Sequence, residues 1–235
     1  ESNFQFVESK GMVAAMTDAV REQALTVLMP LRHAAWGANM NNASVCAYGY
    51  GTAFTAPAMF HAMDNLGVAQ YLTRLGLVLG EPEVLDVGKQ AWLAAPVWQE
   101  LRRLVEDTLV VKDPFELFVA QNLAIDGLLY PLVYGSFIDD HLTLKGATAV
   151  AMMTAFMTDW HAESARWIDA VVKTAAAESD ENRALLSKWT PHWVARAQTA
   201  LAPIAQLAMG DHGDAALADA RTTLDARCRK AGLAV

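Results

Sequence analysis

The chain has 235 residues, of which 54% are hydrophobic and 19% charged, with a net charge of −8 and a mean hydropathy of +0.18. Disorder needs low hydrophobicity and high charge, so it is excluded, and the apolar content suffices for a large core. Lysine and arginine are scattered and the balance is acidic, which works against both nucleic acid and an anionic membrane surface. The apolar share lies above the usual value of about 45–50%, pointing to apolar surface covered by a partner. The longest apolar stretch, 147–157, is too short to span a bilayer. Two cysteines, Cys46 and Cys228, make no disulfide framework, and no secretory leader opens the sequence. A cytoplasmic protein is expected.

The pattern is helical throughout, without strand alternation or an Asn-Gly hairpin turn. Met12, Met16, Val20, Ala24 and Val27 recur at helical spacing up to Pro30. A second helix is expected from just after Pro30 towards Pro57, which would kink it. Val68, Leu72, Leu75 and Leu79 form the next stripe, closed by Gly80; 81–88 reads as a connector, followed by short helices near 89–95 and 97–109. Asp113-Pro114-Phe115-Glu116 is a helix start, with Asp113 as cap, Pro114 at the first helical position and Glu116 able to reach back. The helix it opens, 115–130, is apolar on nearly every side and belongs in the middle of a fold. Residues 134–146 read as a loop. Met153, Met157, Trp160, Trp167 and Val171 stripe a long helix. Ser179 and Pro191 punctuate the last third of the chain, and a final helix runs from about 214 with Asp225 and Arg229 one turn apart. The result is one all-α domain over 1–235, a ferritin-like helical bundle of roughly eight helices.

A two-metal bundle of this kind carries Glu-x-x-His pairs on facing helices. The residues three before His33, His61, His141, His161, His192 and His212 are Pro30, Ala58, Ile138, Thr158, Trp189 and Met209, none acidic. The chain is therefore expected to lack a di-iron site of its own. Asp159 and Glu163, one turn apart around His161, could share a cation; a solvated acidic edge is the plainer reading. Asp139-Asp140-His141 and Asp211-His212 have no partner at ligand spacing. Gly-x-Ser-x-Gly and phosphate-loop patterns are absent. Gly49-Tyr50-Gly51 follows no strand and is assigned to close helix packing.

The second helix interleaves Arg32, His33, Asn39, Asn41 and Asn42 with Gly37, Ala38, Ala43 and Ala47. Asparagine and glycine are poor helix formers, so their surroundings must support them. Small residues admit a neighbouring backbone, and amides then bond across the gap. An internal helix contact, an inter-subunit seam and a small-molecule site all fit, and these five residues are the subunit-interface candidates. The helix from Phe115 repeats the theme with Glu116, Gln121, Asn122 and Asp126, which need partners in a core.

Four stretches carry a resemblance: LMPLRHAAWGANMNN (28–42), AMDNLGVAQYLTRLGLVL (62–79), FELFVAQNLAIDGLLYPL (115–132) and TDWHAESARWIDAVVKT (158–174). In this order they resemble the β subunit of the hydroxylase component of bacterial soluble di-iron monooxygenases, the phenol hydroxylase branch above all, with toluene and propane monooxygenase β subunits as close relatives. The resemblance implies a ferritin-like subunit without catalytic, cofactor-binding or metal residues. The partners it implies are a larger α subunit holding the di-iron centre and a small γ subunit, two copies of each of the three, served by a coupling protein and a reductase with flavin and iron–sulfur groups. NADH and O2 then drive hydroxylation of phenol or a related hydrocarbon. Family members carry an N-terminal arm before the stretch matching 3–12, and this sequence lacks it. The alternatives are a free-standing helical module for an apolar ligand and an enzyme with a metal near Asp159, His161 and Glu163.

Overall fold

The computed structural model describes residues 2–234, and every element among them is helical. After α1 (Ser2–Ser9), α2 runs unbroken over Asp18–Tyr48, with Thr17 capping its start by accepting from the Val20 amide. Pro30 was expected to end a helix; it lies inside α2, among buried Leu28, Met29 and Leu31. A missing N–H costs one backbone bond, and packing on both sides outweighs that loss. The turn falls instead at Gly49-Tyr50-Gly51, where Gly51 takes φ +81°, a conformation that favours glycine. These glycines turn the chain, so their assignment to helix packing is corrected. Helix α3 (Thr52–Leu79) then folds back along α2, with Pro57 near its start and no break there.

Helix α4 (Glu83–Ala94) begins within the expected connector, and α5 (Pro96–Thr108) follows at once. Small residues set the approach of both: Gly88 lies against Met29 and Gly37 against Val105, where a methyl group would collide. The glycines in this region therefore do serve close helix contact.

The central helix, α6, spans Pro114–Lys145 and has no uniform period. An α-turn (Pro114–Phe118) widens into π-helix (Val119–Ile125), narrows over Asp126–Tyr130, widens again (Pro131–Leu142) and ends in a 3-10 turn. Residues 134–146, expected to be a loop, are thus helical up to Lys145. Phe137, Ile138 and Leu142 are buried, and this burial holds the segment in helical form. By length and composition α6 could cross a membrane, a feature the apolar-run reading missed, yet neighbouring helices enclose nearly all of its most apolar stretch. Asp113 caps it as expected, accepting from the amides of Phe115 (2.8 Å) and Glu116 (3.1 Å). Glu116 does not reach back; it accepts from the Trp193 indole at 3.1 Å.

Helices α7 (Thr148–Glu178), α8 (Asp180–Met209) and α9 (Gly213–Lys230) complete the enclosure of α6. Ser179 caps α8 through the Asn182 amide. Asp225 pairs with Arg221 at 2.7 Å rather than with Arg229. The architecture is all-α and ferritin-like.

Candidate functional site

The polar residues of α2, α3 and α6 meet in the interior. Asn41 donates to Thr108 Oγ1 and to Gln121 Oε1, both at 2.8 Å. Thr108 donates its own hydroxyl proton to the Val105 carbonyl at 2.6 Å. Gln121 donates onward to Asp126 Oδ1 at 2.9 Å. That pair is five residues apart, the repeat of a π-turn, so the widened helix brings the two side chains to one face. An α-helix would have separated them. Beside this chain, Asn42 and Asn122 exchange amide bonds reciprocally, at 3.0 and 2.8 Å. Asn41 and Asn42 are 1% and 0% exposed, so these bonds form where water cannot substitute.

The other interface candidates also bond or stack within the chain. Arg32 donates to the carbonyls of Met29 (3.0 Å) and Leu85 (2.8 Å), tying α2 to α4. His33 stacks on Trp92, with centroids 5.7 Å apart. Asn39 donates to the Ala62 carbonyl at 2.8 Å, locking α2 to α3. All five candidates therefore hold α2 against neighbours of the same chain. What the asparagine pattern missed is the outward row beside them: Trp36 (52% exposed) and Met40 on α2, with Met59, Phe60 (70%) and Met63 (57%) on α3. The Asn39–Ala62 bond sets 36–40 alongside 59–63.

A second cluster surrounds His61. Its ring stacks on Trp160 (4.8 Å) and meets Trp167 at a tilt (5.6 Å), and Nε2 faces Asp126 Oδ2 at 3.6 Å. Trp160 donates to Asp64 at 3.0 Å. His161 lies flat on Tyr130 at 5.3 Å, while Asp159 and Glu163 are exposed, so these three do not converge on one cation. Among the described residues no group of three or more His, Cys, Asp or Glu side chains is arranged to hold a metal. A two-iron centre needs four carboxylates and two histidines facing each other. The interior offers Asp126 with His61 and His161, and this donor set does not fit.

Burial pushes the His161 pKa down to about 4, with Arg227 and His61 adding to the fall and Asp126 opposing it. Burial therefore favours the neutral His161 ring in the folded state. In the unfolded chain histidine takes a proton near pH 6.5. The native state binds fewer protons between pH 6.5 and 4, so stability should fall as pH drops through that window and level off below it. The loss is on the order of 3 kcal/mol. Urea titrations at stepped pH check this, and His161→Gln should flatten the slope.

An all-helical chain that bonds the amides of α2 to its own interior, yet leaves aromatic and methionine side chains outside, has the makings of a subunit of a larger assembly. Comparison with known proteins gives that class its family. The family model described as methane/phenol/alkene hydroxylase matches residues 1–179, and the chain belongs to that family. It is 45% identical over 235 residues to the oxygenase component DmpL of phenol 2-monooxygenase from Pseudomonas sp. (strain CF600), covering 99% of this chain and 70% of that protein. It is 28% identical over 115 residues to the beta subunit of the hydroxylase component of the toluene-4-monooxygenase system from Ectopseudomonas mendocina, covering 49% of this chain and 33% of that one. Among solved structures it is similar to phenol hydroxylase from Pseudomonas sp. OX1, with TM-score 0.93 and 42% identity over 100% of this chain and 71% of that one. Its relatives are thus components of multicomponent phenol and toluene monooxygenases.

Proposed function

We propose that the chain is the non-catalytic β subunit of a phenol-hydroxylase-type monooxygenase. In this reading it supports an α subunit whose di-iron centre hydroxylates phenol or a related hydrocarbon. The α subunit, a small γ subunit, a coupling protein and a reductase with flavin and iron–sulfur groups are its partners, and NADH and O2 supply the reaction. The single observation that carries the reading is the likeness over the whole chain to a phenol hydroxylase chain. The toluene-4-monooxygenase relative is a beta subunit by name, which supports the β role. The interior donor set, unsuited to two irons, agrees with a supporting role.

The row of Trp36, Met40, Phe60 and Met63 is the proposed subunit seam. Arg32, His33, Asn39, Asn41 and Asn42 serve it from behind, by fixing α2 against α3, α4, α5 and α6. We also place the chain in the cytoplasm, where Cys46 and Cys228 remain the free thiols they are in the structure. A second reading, a free-standing module for an apolar ligand, draws on a groove of about 700 Å3 lined by Phe54, Phe115 and Val171.

Purification of the chain from its native cells tests both. The expected eluate holds a larger, iron-bearing subunit in equal amount, with no iron on this chain once separated. Elution alone would overturn the β-subunit reading and favour the module.

A further inference from the structure

Between α2, α3 and α6 lies a small internal cavity of about 20 Å3. Asn65, Gln121, Asp126, Tyr130 and Tyr134 contribute to its wall, each no more than 4% exposed, and the remainder is aliphatic. Two acceptors in these residues accept no hydrogen bond from the protein: Asn65 Oδ1 and Asp126 Oδ2. Their orientation is settled by the bonds their other ends make. The Asn65 amide nitrogen donates to the His61 carbonyl at 2.9 Å, and only a nitrogen can make that bond, so the oxygen is the free end. Asp126 Oδ1 accepts from Gln121, while Oδ2 faces His61 Nε2 at 3.6 Å, an ion-pair distance that leaves both atoms without a hydrogen bond.

We propose that this cavity binds one water molecule, which donates one O–H to Asn65 Oδ1 and the other to Asp126 Oδ2. Two buried acceptors, one of them a carboxylate oxygen, call for a guest that brings donors. A water brings two. A guest of that size needs about 10–15 Å3, so the space admits a single molecule. A hard cation takes about six oxygen ligands, and a wall that is mostly aliphatic does not supply them. The water extends the bonded chain Thr108–Asn41–Gln121–Asp126 across to Asn65 and so ties α3 to α6. It is a structural site of this chain's own interior and stands apart from the functional reading above.

The test is a crystal structure of the purified complex containing this chain, at a resolution that orders internal water, together with an Asn65→Leu variant. The expected result is one peak about 2.8 Å from both oxygens, lost in the variant, whose thermal midpoint falls by about 5 °C. A wild-type cavity without density would overturn the proposal. So would a peak about 2.4 Å from its oxygen neighbours, which marks a cation, or a water that bonds neither atom. The wild-type map decides the matter even if the variant fails to fold.

Discussion

Phe60→Glu combined with Met63→Glu is expected to release the chain from the proposed hydroxylase assembly while its own helices stay folded. Both side chains point outward, at 70% and 57% exposure. Neither supports the core, and surface changes of this kind move stability by no more than about 0.5 kcal/mol. An interface is different. A buried aromatic anchor contributes about 2 kcal/mol or more, and two carboxylates placed in an apolar seam must be desolvated without partners. Association should weaken by at least about 100-fold. Gel filtration of the co-purified complex reads the loss, and circular dichroism confirms that the variant is folded. A complex that forms with undiminished affinity would move the seam to another face.

The second large effect belongs to the interior. Asn42→Leu should destabilise the chain by about 2–4 kcal/mol, because it strips Asn122 of both its bonds at a site closed to water. In a chain of this size that is a fall of roughly 5–15 °C in the melting midpoint. The partner variant Asn122→Leu should cost a similar amount. Making both changes together should cost clearly less than their sum, by about 1–3 kcal/mol, since no amide is then left unpaired. Additive losses would mean that each asparagine acts on its own surroundings rather than on the other. Asn41→Leu should be costly as well, but without this recovery, because its amide is shared between Thr108 and Gln121.

The two effects separate what was legible in the sequence from what was not. The amides of α2 were visible as residues that a helix tolerates only with partners, and the structure supplies those partners. Their identity was not visible, because Asn42 and Asn122 lie 80 residues apart. Gln121 and Asp126 did leave a trace, two polar groups five apart in an apolar helix. A reading tuned to three- and four-residue spacing passes over it. The exposed row was hidden for a different reason. Phe60 and Met63 have the same chemistry as core residues, and only the packing of α2 on α3 decides which apolar positions are left outside.

Punctuation divided in the same way. Asp113-Pro114 marks a helix start through bonds made within three residues, so local sequence was enough. Pro30 and Pro57 also looked like break points, but one lost backbone bond is small beside the burial of helices of 31 and 28 residues, and α2 and α3 run through. What the sequence by itself determined was the all-α class, the central placement of α6 and the need for buried amide partners. All of these depend on short-range periodicity, capping and composition. Tertiary structure alone decided the wide turns of α6, the pairing of the amides, the helical state of 131–142 and the face left for a partner. Each of those depends on contacts between segments far apart in the chain, whose combined burial outweighs local preference.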